Sequence, residues 1–255
     1  MDKATVLGLL IGFGGILFGN YIEGAHMGSL VQTTALIIVL AGTTGAVLVS
    51  HSLRDVSKAM QMAREAFKDN SHDEYNRALE QIVDLAKVAK KEGVLILETH
   101  LNKVHNEFLR RVLRTVIDGI QPQMIREIFE AELEIEEEKL MVSAKVWSDA
   151  GGFSPTIGII GAVLGLIHVM SNLTDTSKLG SGIAVAFVAT VYGVGSANLL
   201  FLPLGNKIKR RVQEHIQKKM AILDSALLVG ADLNTLVVDQ KVKSHRLEIS
   251  QVEIL

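Results

Sequence analysis

Four long runs in this sequence hold no Asp, Glu, Lys or Arg: residues 4–19, 30–49, 153–170 and 182–204. A helix needs about 20 apolar residues to cross the hydrocarbon core, with about 17 as the lower limit. Inside lipid the backbone must satisfy its own hydrogen bonds, so each run must be helical or join a closed barrel. The last three runs meet the length. The first is short and glycine-rich, and competes with a signal-peptide reading. Asp2 beside Lys3 makes a poor basic n-region, and no small-x-small cleavage site follows the run, so it too reads as a span. The predicted fold is an all-α membrane protein with four transmembrane helices and a large helical insert between the second and third.

Overall apolar content, 48%, would also suit a soluble enzyme, so the clustering of apolar residues decides the class, not their number. A formal net charge of −2 gives no argument for nucleic acid as a partner. With no cysteine, disulfides and thiolate metal sites are excluded. No phosphate loop, nucleophile constellation or metal cluster stands out, so the chain does not read as an enzyme.

Basic residues set the orientation. Of 26 Lys and Arg, 15 lie in residues 51–149 and 9 lie from residue 205 onward, whereas 20–29 has none and 171–181 only Lys178. By the positive-inside rule, both termini and the long middle segment face the cytoplasm. The predicted organisation is spans one and two in 1–50, a cytoplasmic helical domain in 51–150, spans three and four in 151–204, and a cytoplasmic helical tail in 205–255. In the insert, "RALEQIVDLAKVAKKEGVLILETHLNKV" and "HNEFLRRVLRTVIDG" keep apolar residues at helical spacing, the second ending at "DGIQP". "MIREIFEAELEIEEEKLMVSAKVWSDAG" reads as one long helix running toward the third span, with its acidic stretch "EAELEIEEE" as a solvated face.

Within the membrane, small residues let helices approach closely. Gly8, Gly12, Gly15 and Gly19, Gly161 and Gly165, and Gly193 and Ala197 are placed to do so. Ionisable groups normally mark an ion path, and between their interfacial ends the spans have no Asp, Glu, Lys or Arg. The chain therefore moves no ion, or it borrows a carboxylate from a partner. Its groups at depth are hydroxyls: Thr43, Thr44, Thr190 and Tyr192. Spacing leaves Thr190 two roles, a bond back to the carbonyl four residues earlier or a place on an ion path. Pro155 and Pro203 fall at similar cytoplasmic depth, as helix start and stop or as hinges. His168, at the outer end of its span, reads as an interfacial polar residue.

"IEGAHMGSL", "TALIIVLAGTTGAVLVS", "FSPTIGIIGAVLGLIHVM" and "AFVATVYGVGSANLLFLP" together resemble the signature stretches of the MotA/PomA family of flagellar stator subunits, in the MotA/TolQ/ExbB proton channel superfamily. The resemblance implies a ring of five subunits in the bacterial inner membrane around the helices of MotB, whose aspartate binds the ion. No cofactor is implied beyond the transported ion. Thr190 in "VATVYG" matches the threonine facing that aspartate, with Tyr192 beside it, and Pro155 and Pro203 match the family's two functional prolines. Ala162 stands where sodium-type members tend to carry threonine, which points to protons. In "AKKEGVLILETH", Lys90, Lys91 and Glu98 match the residues that touch FliG of the rotor, with lysine replacing arginine at 90 and losing the planar fork. On one continuous helix, eight residues at about 100° each would bring Lys90 and Glu98 to within roughly 80° of one face. The alternative is an ExbB- or TolQ-like subunit of an envelope energy-transducing complex. Such proteins typically have three spans and an outer N-terminus, against the two N-terminal spans and cytoplasmic start here. A membrane scaffold, the third class, would explain the glycines but not the proline pair or the charged insert.

Overall fold

The computed structural model describes residues 3–24, 27–68, 73–174, 176–230 and 235–252. Asp2, used against the signal-peptide reading, lies outside these residues, as do Ala25 and His26 of "IEGAHMGSL". Among the described residues there is no strand. The α-helices are α1 (Lys3–Ile22), α2 (Thr33–Ser50), α3 (Leu53–Ala66), α4 (Asp73–Glu92), α5 (Glu107–Ile117), α6 (Pro122–Ser171), α7 (Thr176–Ser196), α8 (Leu202–Gly230) and α9 (Thr235–Val252). Windows long and apolar enough to cross a membrane fall in Ala4–Ile22, Thr33–Ser50, Pro122–Ser171 and Leu179–Gly230. The chain forms two compact units: Met1–Asp69 with Leu140–Arg210, and Asn70–Lys139 with Arg211–Leu255.

In the first unit, α2 buries Ala35, Val39, Thr43 and Val47, one residue per turn. Ala35 and Val39 pack on Val188 and Ala189 of α7. The α6–α7 seam is closer still. A Cβ on Gly158 would lie 2.8 Å from the Ala189 carbonyl oxygen and 3.1 Å from Cα of Gly193. Two glycines are required where backbone meets backbone. Ser154 and Ser196 seal the same seam with a 2.8 Å hydroxyl–hydroxyl bond. The glycines of α1 behave differently. Gly12 meets Leu199, but Gly8, Gly15 and Gly19 have open space where a Cβ would stand, and the window of α1 is 0% buried. The expectation that they pack α1 does not hold within one subunit, because lipid tails solvate an apolar helix as well as a neighbour would.

The simpler expectation, helix start or stop, does not hold for Pro155. Pro155 lies inside the 50-residue α6. Pro203 is the second residue of α8, which directly follows a π-helical turn, Ala197–Phe201. Proline lacks the N–H that would bond the carbonyl four residues back, and its ring crowds that carbonyl. A wider turn before Pro203 moves the Leu199 carbonyl out of the clash and lets the helix continue.

Where α2 ends in this unit, at His51, Ser52 caps α3 by accepting from the Asp55 N–H. Val47, Ala59, Val146 and Ala150 form a small core there. Trp147 Nε1 donates to the Ala59 carbonyl at 3.0 Å, and His51 Nε2 lies 2.8 Å from Asp149 Oδ2.

The second unit is held by larger side chains. Leu79 and Ile82 of α4, Leu109, Val112 and Leu113 of α5, Ile125 and Leu133 of α6, and Leu223 of α8 are buried, each contributing about 1.5–3 kcal/mol. Phe108 and Phe129 meet edge to face at 5.6 Å. The expected continuous helix through "AKKEGVLILETH" is not there. α4 ends at Glu92, Gly93 turns the chain at φ 88°, and Val94–Lys103 follow as a 3₁₀ run. Only glycine enters that positive-φ region without strain. The acidic stretch of α6 is also less solvated than its composition suggests. Glu130 pairs with Arg126, Glu132 with Arg111, and Glu136 with Lys219 and His215.

Candidate functional site

The residues singled out in sequence fall into two groups, one in each unit. In the first unit the seam sets their register. Gly161 packs on Ala189, with its added Cβ at 2.7 Å from the alanine methyl carbon. Ala162 and Thr190 are the next residues on these antiparallel helices, about 3 Å apart along the axis, and both are half-buried. Thr190 Oγ1 donates to the Ala186 carbonyl at 3.3 Å. That is the back-bond allowed by its spacing, yet a hydroxyl that donates keeps two lone pairs for a donor arriving from outside. Pro155 is half-buried seven residues before Ala162, about 10 Å along the helix axis. Pro203 is exposed.

Tyr192 is turned to a different task. Its hydroxyl donates to the Leu30 carbonyl at 2.5 Å and receives the Gln32 N–H at 3.4 Å. It ties α7 to the chain entering α2, so its polar end serves the subunit's own fold. His168 is exposed, and among the described residues no group of three or more His, Asp or Glu is placed to hold a metal.

Sequence reasoning did not find Ser154, Ser196, His51 or Asp149. A serine in a glycine-rich span looks like another small packing residue, and His51 and Asp149 are 98 positions apart. Thr43 was noted only as a hydroxyl at depth. It is 3% exposed, and its Oγ1 has no hydrogen-bond partner.

In the second unit, Lys90 and Lys91 are exposed in the last turn of α4, and Glu98 is exposed in the 3₁₀ run. The turn at Gly93 separates them, so the 100°-per-residue argument for a shared face does not apply. Two charge clusters lie elsewhere in this unit. Arg126 bridges Asp224 at 2.7 Å and Glu130 at 3.0 Å. Burial disfavours its charge, but the bonds to Glu130 and Asp224 outweigh burial and raise its pKa. Burial likewise works against the Glu136 carboxylate. Hydrogen bonds from Lys219, at 2.6 and 2.7 Å, and from His215, at 3.0 Å, overcome it and hold the carboxyl below its ordinary value of 4.5.

The arrangement defines a class: an all-helical membrane protein whose close-packed spans carry hydroxyls but no carboxylate, joined to a charged helical unit. Comparison with known proteins narrows it. Residues 100–221 match the MotA/TolQ/ExbB proton channel family, and residues 6–93 match the motility protein A N-terminal family. The second match covers the N-terminal spans that separate this chain from ExbB and TolQ. Motility protein A of Bacillus subtilis is 30% identical over 241 residues, covering 94% of this chain and 89% of that protein. Chemotaxis protein PomA of Vibrio alginolyticus is 29% identical over 246 residues, covering 96% and 95%. The solved flagellar MotAB stator complex from Bacillus subtilis superposes with a TM-score of 0.85 at 29% identity, covering 95% of this chain and 96% of that one. C. jejuni MotAB gives 0.85 at 27% identity, covering 96% of both. The chain belongs to the MotA/PomA family of flagellar stator subunits.

Proposed function

We propose that this chain is the wall of a proton-driven stator. A ring of five copies in the bacterial inner membrane, with both termini in the cytoplasm, would enclose a MotB-type partner that supplies the ion-binding aspartate. The observation that carries this reading is a set of spans with no Asp, Glu, Lys or Arg within their apolar runs. The seam nevertheless presents a half-buried hydroxyl, Thr190, whose donor is occupied and whose acceptors remain available.

A carboxylic acid needs an acceptor for its proton, whereas a carboxylate needs a donor. Thr190 serves the protonated partner with its lone pairs and the ionised partner by releasing its back-bond to Ala186. Contacts at this level therefore differ between the two protonation states, as a proton-driven shift requires. Ala162, close to that level, offers a methyl group where a sodium ion would need an oxygen to replace its water shell. Pro155 and Pro203, each inside or just within a continuing helix, give places where bending breaks no further hydrogen bond. Lys90, Lys91 and Glu98 would meet the rotor protein FliG and pass the motion on.

The test is rotation of tethered cells in a stator-null host carrying this chain and its partner. Thr190→Ala, and charge reversal at Lys90 and Glu98, are expected to lower torque with stator abundance unchanged. Full torque from all of these variants would overturn the mechanism. Sodium-dependent torque blocked by phenamil would overturn the choice of ion.

A further inference from the structure

Thr43, Ser154 and Ser196 come from three helices of the first unit, and their neighbours put them at one level. One turn before Thr43, Val39 shares a core with Val188 and Ala189, against which Tyr192 packs. One turn after it, Val47 shares a core with Ala150, against which Phe153 and Phe201 pack. On the α7 side, Thr43 therefore falls between Tyr192 and Phe201, where Ser196 stands. On the α6 side, Gly42 abuts Ile157, with an added Cβ at 2.6 Å from its Cγ2. Between that contact and the one of Val47 with Ala150, Thr43 falls beside Ser154.

The hydrogen bonds of this group do not close. Ser196 donates to the Tyr192 carbonyl at 2.6 Å, so in its 2.8 Å bond with Ser154 it accepts, and Ser154 donates. The Ser154 oxygen keeps its own lone pairs as acceptors, in a residue that is 0% exposed. Thr43, 3% exposed, has neither donor nor acceptor engaged. A hydroxyl is costly to bury without a partner, and in a span no bulk water is at hand to supply one.

We propose that the junction of α2, α6 and α7 is a binding site for one internal water molecule, which accepts from the Thr43 hydroxyl and donates to Ser154 Oγ. The two hydroxyls are complementary to water, which needs two to four polar partners. No charge is present to hold an ion, and an apolar occupant would leave both hydroxyls unpaired. Space is available because Ala150, one turn from Ser154, and Ala197, next to Ser196, carry only methyl groups. The next level is the apolar core of Val47 and Ala150, so the water is closed in and does not continue as a file. It gives α2 a second polar tie to the seam, after the Tyr192 bond to Leu30 at the head of α2. The site needs nothing from a partner chain or a transported ion.

Thr43→Val keeps the shape of the side chain and removes the hydroxyl. In the complex purified in mild detergent it is expected to lower the thermal midpoint by about 2–4 °C, because the water loses a partner. Ser154→Ala removes the other end of the bridge. The double variant is expected to lose clearly less than the two single losses together, since the first substitution already releases the water. An unchanged or raised midpoint for Thr43→Val would mean that its hydroxyl is buried dry. Additive losses would mean that Thr43 and Ser154 share no water. Either result overturns the site. Should a variant not accumulate, the unaltered complex supplies the check. An electron cryomicroscopy map fine enough to show ordered water is expected to hold one within hydrogen-bond distance of Thr43 Oγ1 and Ser154 Oγ. No density there, or a direct bond between the two hydroxyls, overturns the proposal.

Discussion

Single side chains divide between those with an obvious chemical role and those whose role depends on a distant partner. Thr190 could be singled out in sequence because a hydroxyl is scarce in an apolar run, and its spacing already allowed the bond it makes to Ala186. Tyr192 was placed with it by proximity, but its hydroxyl reaches Leu30, 162 positions away. Nothing local to residue 192 encodes that partner. Tyr192→Phe is expected to destabilise the purified complex by about 1–2 kcal/mol through loss of a partly buried hydrogen bond, read as a lower thermal midpoint. Glu136 gives a pH-dependent counterpart. Its folded pKa lies below its ordinary value of 4.5, so its contribution is full above about that pH. The contribution is lost as pH falls through the folded value. Glu136→Gln is expected to lower the midpoint at pH 7 by a few degrees and to flatten the decline that sets in below the ordinary value of 4.5, in thermal scans taken at successively lower pH.

At the scale of elements, the outcome turns on which helix faces meet. Gly158 and Gly193 bring α6 and α7 into backbone contact, so Gly158→Leu must push the helices apart. It is expected to cost about 1–3 kcal/mol, measured as loss of thermal stability in detergent. Gly8→Ala adds a methyl group to open space and is expected to leave subunit stability unchanged. Any loss of assembled complex on native electrophoresis would then report contact with another chain. The π-helical turn before Pro203 makes a separate prediction. Pro203→Ala restores the N–H to the Leu199 carbonyl and removes the ring, which favours relaxation of residues 197–201 to α geometry. Torque is expected to fall at unchanged abundance, with slower amide exchange at the restored position. The helix starts and stops of the insert were largely legible: α5 ends at "DGIQP", where Gly119 has φ 74°. The break at Gly93 was harder to see, because the apolar spacing after it still fits a helix.

Over the whole molecule, α1 is the spanning element least packed within one chain. Its spanning window buries nothing in the subunit, and its glycines largely face open space. Purified in mild detergent with its partner, the chain is expected to run as a ring of five copies, measured by native mass spectrometry. A single cysteine introduced in residues 205–230 should be labelled only from the cytoplasmic side, as the clustering of Lys and Arg requires.

Length, polarity and the placement of charge determine that this chain enters a membrane, with four helices and a charged helical insert. Water and lipid act on each segment locally, so these properties survive without knowledge of any contact. The same logic marks the missing carboxylate, since the cost of burying a charge is paid wherever the segment sits. Contacts are another matter. The pairing of Gly158 with Gly193, the adjacent levels of Ala162 and Thr190, the inward hydroxyl of Tyr192 and the level shared by Thr43, Ser154 and Ser196 each depend on residues far apart in the chain. Such features follow from the packing of complementary faces, and only the folded structure brings those faces together.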